Sequence, residues 1–404
     1  MQPSSVVVLA DDLTSAADGA VPFRRSGHRA LVLFEPPETR GVGVTAAGVT
    51  SPGSTPADVT PPGVTSVDLG TRLLDATEAA ARMGAAAGAY AGAGLLLKTV
   101  DSTLRGHVAA EVRAALAGSG RRAAVVAPAF PAEGRTTVRG VQYVRGVRVD
   151  ESEFARDPAH PVRTADLTRL LPESTGVEPD RLADLPELLA RGGVFVCSAA
   201  TDEELDAVVA AVPRAGEVLW VGSPGLAAAL ARRYGRAQAA GHPGLPPVRR
   251  PLAVVGSANP ASRRQLAALY ERSGAEGAVA DDPAAALAAL SASGAPLLAL
   301  HTPDARGADP AALTRRLAET AAEAVGKGLA DGLVLTGGET AAAVLNVLGA
   351  TGLDLHDEPE PGIARGTLHG PTAPRLPVLV KAGGFGDDGT LVRLCALLTA
   401  GEQR

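Results

Sequence analysis

Ala91-Gly-Ala-Gly-Leu-Leu-Leu97-Lys98-Thr-Val-Asp101-Ser102-Thr103-Leu-Arg105-Gly106 passes from a short apolar run, through a dense polar turn, into the helix expected from His107 to Leu116. A polar cluster between a strand and a helix sits where open α/β sheets bind ligands and where a helix N-terminus favours negative charge. Its chemistry suits a polyhydroxylated anion: Lys98 and Arg105 would grip a carboxylate or phosphate, and Asp101, Ser102 and Thr103 would address hydroxyls. Helix capping alone would need only one of these side chains.

The same alternation extends in both directions. Strand-like runs at Val6 to Ala10, Ala30 to Phe34, Leu95 to Leu97, Ala123 to Ala127, Val194 to Cys197 and Val218 to Val221 are separated by helix-like segments. After Tyr234 a Pro/Gly-rich stretch without periodicity, 235–250, marks a boundary, and further strands follow at Leu252 to Val255, Leu297 to Leu300, Gly332 to Thr336 and Val378 to Val380. The expectation is an α/β protein of two domains, residues 1–240 and 250–404, each with a mainly parallel sheet flanked by helices. At 404 residues the chain exceeds the size of one ordinary core. Its composition, 46% hydrophobic but 3% aromatic, suits Val/Leu strands under Ala-rich helices. Residues 36–62 read as a long surface loop.

Charge and cysteine usage exclude several classes. The net charge of −6 is spread without a basic stripe, so neither nucleic acid nor an anionic membrane surface is an expected partner. Cys197 and Cys395 lie in apolar runs and read as small core residues. Met1-Gln-Pro-Ser-Ser leads straight into a strand with no signal-peptide pattern, and the reading is a soluble cytoplasmic protein. The oligomeric state is not written in the sequence, and a homodimer is only the base-rate expectation. No GxxxxGK[ST] or GxSxG motif is present, which argues against P-loop and serine-hydrolase chemistry.

Other strand ends carry further candidates. Asp11 and Asp12 cannot both point the same way, so one is expected to cap the helix while the other faces the crevice. Arg72 would add a cation there, and the rigid Pro128-Ala-Phe130-Pro131-Ala-Glu-Gly134 loop would present Arg135. In the second half, Gly256-Ser257, Gly337-Gly338-Glu339-Thr340 and Lys381-Ala-Gly383-Gly384-Phe385-Gly386 follow three strands, which together imply one phosphate cradle.

In order, Ala10-Asp-Asp-Leu-Thr14, Thr71-Arg72, Lys98 with Asp101-Ser-Thr-Leu-Arg-Gly106, Pro128 to Pro131 with Gly134-Arg135, Gly256-Ser257, Gly337 to Thr340 and Lys381 to Gly386 resemble the four-carbon acid sugar kinase family over nearly the whole chain. The resemblance implies phosphorylation by ATP of a terminal hydroxyl on threonate, erythronate or a 3-oxo-tetronate, with an N-terminal acid-sugar domain, a C-terminal nucleotide domain and the active site in the cleft between them. By that resemblance Asp12, Arg72 and the cluster Lys98, Asp101, Ser102, Thr103 and Arg105 match the acid-sugar side, and Asp11, Gly106 and Arg135 complete the expected site; Asp12 is the expected catalytic carboxylate with Asp101 as the alternative, and Arg105 the cation at the sugar carboxylate or transferring phosphate. The nucleotide site would comprise Ser257, Gly337, Gly338, Glu339, Thr340, Gly383, Gly384, Phe385 and Gly386. Mg²⁺ would arrive with ATP, and no protein ligand for it is named. Ser15 stands where the family has Gly, His107 where it has Asn, and Thr99-Val100 separate Lys98 from Asp101; the first two changes bear on which acid sugar fits. The alternatives from other classes are a non-catalytic acid-sugar or phosphosugar sensor, and an isomerase or aldolase that needs no ATP.

Overall fold

The structure is a computed structural model that describes residues 3, 5–34, 63–157, 160–235, 244–303, 309–371 and 375–400. The expected surface loop at 36–62 and half of the 235–250 stretch lie outside them. The chain divides into two compact units, Met1–Ala240 and Gly241–Arg404.

Unit 1 begins with β1 (Val6–Ala10), α1 (Leu13–Arg25), β2 (Ala30–Phe34), β3 (Val64–Asp68), α2 (Ala76–Ala89), β4 (Leu95–Thr99), α3 (Val108–Ser119) and β5 (Ala123–Ala127). An excursion follows: β6 (Arg135–Val138), β7 (Val141–Val144) and β8 (Val147–Arg148) form a small antiparallel sheet, and α4 (Leu167–Leu170) leads to β9 (Ser174–Val177). The unit ends with α5 (Leu185–Arg191), β10 (Gly193–Cys197), α6 (Asp202–Ala211), β11 (Val218–Gly222) and α7 (Pro224–Tyr234). The main strands are parallel in the order β2-β3-β1-β4-β11-β5-β10-β9. Strands buried on both faces need continuous apolar runs, and β1, β4, β5 and β11 have every residue buried. One face of the sheet closes over Leu9, Val67, Met83, Leu96, Val112 and Val126.

The strand order places the site. β1 lies between β3 and β4, so the turns after these three strands share one end of the sheet at the point where the winding changes direction. Side-chain caps fix where the helices begin: Asp12 on α1, Asp75 on α2, Thr201 on α6 and Ser223 on α7 each accept a first-turn amide.

Unit 2 comprises β12 (Pro251–Val255), α8 (Pro260–Ser273), β13 (Glu276–Val279), α9 (Pro283–Ala292), β14 (Leu298–His301), α10 (Pro310–Gly326), β15 (Gly332–Thr336) and α11 (Gly338–Val347). The antiparallel pair β16 (Gly352–Glu360) and β17 (Ile363–His369) precedes β18 (Pro377–Lys381) and α12 (Thr390–Ala400). The order β13-β14-β12-β15-β18-β17-β16 is parallel from β13 to β18 and antiparallel beyond. The turns after β12, β15 and β18 are thus neighbours. Among the described residues no helix is long and apolar enough to cross a membrane.

Candidate functional site

In unit 1 the two adjacent carboxylates point apart, but they do not divide into a capping residue and a separate crevice-facing one as expected. Asp12 caps α1, its Oδ1 accepting from the Ser15 amide at 2.7 Å and the Thr14 hydroxyl at 3.0 Å. Asp11 is 2% exposed and accepts both arms of Arg72, Nε at 2.5 Å and Nη2 at 3.0 Å. Arg72 also donates to Ser15 Oγ at 3.1 Å and lies 3.2 Å from Asp12 Oδ2. Burial alone would raise Asp11, but the charge and hydrogen bonds of Arg72, with the charge of Lys98, hold it below the ordinary carboxylate range. Asp12 keeps a quarter of its side chain exposed, so the capping residue is also the accessible carboxylate.

A third carboxylate, absent from the sequence reading, joins them. Asp68 ends β3 in register with Ala10, and its Oδ1 accepts from the Gly70 amide at 2.9 Å. Among the described residues no Lys or Arg forms an ion pair with it. Burial, then the charges of Asp12 and Asp11, push it up to about 7. The sequence showed an Asp at a strand end beside Arg72, but only the strand order puts it next to Asp11 and Asp12.

The Asp101 to Gly106 turn is turned inward more than its composition implied. Asp101 accepts from Arg105 Nε at 2.5 Å, Thr103 Oγ1 at 2.6 Å and the Thr103 amide at 3.2 Å. Burial works against its charge, yet Arg105 and Arg72 hold it well below the usual range. Ser102 and Thr103 are 5% and 1% exposed, and Leu104 takes φ 62°. The hydroxyls expected to meet a ligand are therefore buried within the turn, and Asp101 anchors Arg105. Arg105 remains about one-third exposed, 3.5 Å from Asp157 and stacked 5.3 Å from the Phe154 ring centre.

Lys98 also departs from expectation. Its ammonium lies 2.6 Å from Glu111 and donates to the Thr99 carbonyl at 2.7 Å. Glu111 in turn accepts from the Thr71 hydroxyl at 2.5 Å. With Lys98 and Glu111 both 1% exposed, this is an internal tie among β4, α3 and the Arg72 turn. Arg135, first residue of β6, has a buried Nε with no hydrogen-bond partner among the described residues, and its nearest carboxylate oxygen, on Glu133, is 3.9 Å away. Burial lowers its pKa, so it retains unmet donor capacity beside Asp101 and Arg105. His107 bonds the Leu74 carbonyl at 2.6 Å and packs edge-on against His160, whose buried Nε2 has no partner among the described residues.

In unit 2 the three turns touch one another. The Gly337 amide donates to the Lys381 carbonyl at 2.9 Å, and Ser262 Oγ donates to the Gly383 carbonyl at 2.7 Å. A methyl group at Gly383 would come within 2.4 Å of Ser257 Oγ, so any larger residue here would force Ser257 to shift. Gly337 precedes α11 at φ 101°, a conformation suited to glycine, and no side chain caps the helix. The first amides of α11 therefore have no side-chain acceptor among the described residues, the arrangement that receives phosphate elsewhere. Thr340 is buried, whereas Glu339, Gly384 and Gly386 are exposed. Phe385 packs against Gly362. Among the described residues no group of three His, Cys, Asp or Glu could hold a metal ion.

Residues 6–230 match the family model described as a sugar-binding N-terminal domain, and residues 252–391 match that of a nucleotide-binding C-terminal domain. A D-threonate kinase of Bordetella bronchiseptica is 38% identical over 409 residues, covering 96% of this chain and 95% of the relative. A 3-oxo-tetronate kinase of Methylobacterium radiotolerans is 30% identical, covering 94% and 95%. The crystal structure of a Haemophilus influenzae protein, 21% identical, superposes with a TM-score of 0.74 over 97% of this chain and 100% of its own, and shares the fold. With both domain models matched and a relative of this similarity over almost its full length, the chain belongs to the four-carbon acid sugar kinase family.

Proposed function

We propose that this protein is a cytoplasmic, ATP-dependent kinase that phosphorylates the terminal hydroxyl of a four-carbon acid sugar, with D-threonate the first substrate to test. The observation that carries this reading is the juxtaposition of Arg72, anchored by Asp11, with the accessible Asp12 and with Asp68 poised near neutrality. Phosphoryl transfer is mostly positioning and charge stabilisation, and those groups supply an orienting carboxylate, a proton acceptor and a fixed cation. The preference for D-threonate rests on the 38% identity to the Bordetella enzyme.

Unit 1 is assigned the acid sugar. Arg72, Arg105 and Arg135 hold its carboxylate or neutralise the transferring phosphate. Asp12 orients the attacking hydroxyl. Asp68 accepts its proton, because a base works best when its pKa lies near the working pH and Asp101 is held too low for the task. Unit 2 is assigned the nucleotide, with phosphates on the α11 N-terminus and the 383–386 loop. Mg²⁺, when bound, neutralises charge on the phosphates of the nucleotide.

The test is ADP release from Mg-ATP on D- and L-threonate, D- and L-erythronate and their 3-oxo derivatives. Turnover on D-threonate that disappears in Asp68→Asn and Arg72→Ala supports the assignment. Turnover on none of them, with Mg-ATP shown to bind, overturns it.

A further inference from the structure

Each unit buries a lysine at a strand end, and the two are balanced differently. Lys98 and Lys381 are 1% and 0% exposed, and each ammonium donates to the carbonyl of the next residue, Thr99 at 2.7 Å and Ala382 at 2.8 Å. Lys98 then meets Glu111. Lys381 meets no carboxylate among the described residues; its remaining acceptors are the carbonyls of Gly383 at 3.3 Å and Phe385 at 3.0 Å. The neighbouring strands place Thr336 and Ile363 beside it in register, neither of them ionisable. Acids on the flanking segments are engaged elsewhere. Glu360 and Asp387 pair with Arg393, Asp388 pairs with Arg264, Asp357 pairs with Arg365, and Glu358 accepts from the Gly362 amide. Glu339, in the first turn of α11, is exposed. Burial without a counter-charge draws the Lys381 ammonium down to about 8.

Three carbonyls drawn onto one ammonium have a geometric consequence. In a trans peptide the C=O of one residue and the N–H of the next point in opposite directions. Turning the carbonyls of Ala382, Gly383 and Phe385 inward therefore turns the amides of Gly383, Gly384 and Gly386 away from the lysine. None of these three amides has an acceptor among the described residues. They leave donors that face away from a buried positive charge, on the side from which an anion can approach.

We propose that Lys381 is a positioning residue of the nucleotide site: its ammonium turns the Gly383, Gly384 and Gly386 amides toward a phosphate group, and that phosphate supplies the missing counter-charge. The proposal rests on the assignment of the nucleotide to unit 2. A phosphate that compensates the ammonium raises its proton affinity, so binding takes up a proton where free Lys381 is partly deprotonated.

Calorimetry of Mg-ATP binding at about pH 8.5, in buffers of different ionisation heat, reads this directly, since Mg-ATP has no titrating group of its own there. The wild-type protein is expected to take up a fraction of a proton. Lys381→Met should take up none and bind Mg-ATP at least about tenfold more weakly, as for loss of hydrogen bonds to a charged group, with D-threonate affinity unchanged. Ser262→Ala removes a neutral donor to the same loop and should weaken Mg-ATP binding while keeping the uptake. Binding without proton uptake by the wild-type protein overturns the proposal even if Lys381→Met fails to fold, and leaves the nucleotide assignment standing. D-threonate binding with no Mg-ATP binding would remove the nucleotide assignment, and the role of Lys381 with it.

Discussion

The Lys98 ammonium and the Glu111 carboxylate lie 2.6 Å apart in the interior of unit 1, each side chain 1% exposed, and the Thr71 hydroxyl donates to the other oxygen of Glu111. This pair holds the turn after β3, and hence Arg72, against β4 and α3. Removing one partner strands a buried charge, whereas removing both does not. Glu111→Leu should destabilise the protein by about 3–5 kcal/mol in urea unfolding. The double variant Lys98→Met/Glu111→Leu should recover most of that loss, and additive losses in the cycle would show that the two charges do not interact.

Asp68 makes a prediction whose sign follows from its environment. Its folded value of about 7 lies above its ordinary 3.8, so the folded protein holds a proton that the unfolded chain releases between these limits. That contribution to stability is complete below about pH 4 and is lost as pH rises through 7. Asp68→Asn cannot ionise, and it should melt higher than the wild-type protein at pH 8 by a few degrees, with the difference shrinking toward pH 5. The same variant should lose about 10²–10⁴-fold in kcat if Asp68 takes the substrate's proton.

Arg72 holds Asp11 with two parallel hydrogen bonds, a geometry lysine cannot reproduce. Arg72→Lys should raise the acid-sugar KM by at least about tenfold while Mg-ATP affinity is unchanged. An equal loss for both ligands would mean that the substitution disturbs more than the acid-sugar site.

Gly337 takes φ 101° at the start of α11, where any side chain is strained by about 1–3 kcal/mol. Gly337→Ala should weaken Mg-ATP binding and spare acid-sugar binding, as measured by calorimetry with each ligand alone. A variant indistinguishable from wild type would detach the α11 N-terminus from phosphate recognition.

Ser15 accepts from Arg72, and His107 packs on His160 while bonding the Leu74 carbonyl. Both therefore border the groups assigned to the acid sugar. Ser15→Gly and His107→Asn should change the ratio of kcat/KM between D-threonate and D-erythronate with little effect on the Mg-ATP KM. Unchanged ratios would place the choice of substrate on other residues.

Much of this organisation was legible in the chain, because buried parallel strands must be continuous apolar runs and their ends must carry polar turns. β1, β2, β5 and β15 span the residues that their Val/Leu/Ala patterns indicate, and the polar turns at Asp11, Asp101, Ser257, Gly337 and Gly383 follow strands as expected. The small β6-β7-β8 sheet was not legible: its short strands are only partly buried and lack a long apolar run. The antiparallel β16-β17 pair was missed for a similar reason, since the second half of β16 carries Asp357, Glu358 and Glu360.

Sequence alone determined the α/β alternation, the family and the neighbourhood of the ligand groups, since these depend on local periodicity and on residue types within a few positions of one another. Tertiary structure decided what each charge does. Asp68 becomes a base candidate because β3 lies beside β1, Lys98 becomes internal because α3 delivers Glu111, and Lys381 has no counter-charge among the described residues because the nearby carboxylates pair elsewhere. A side chain's protonation and its availability to a ligand depend on burial and on charges brought from distant positions, and neither is written in its immediate sequence.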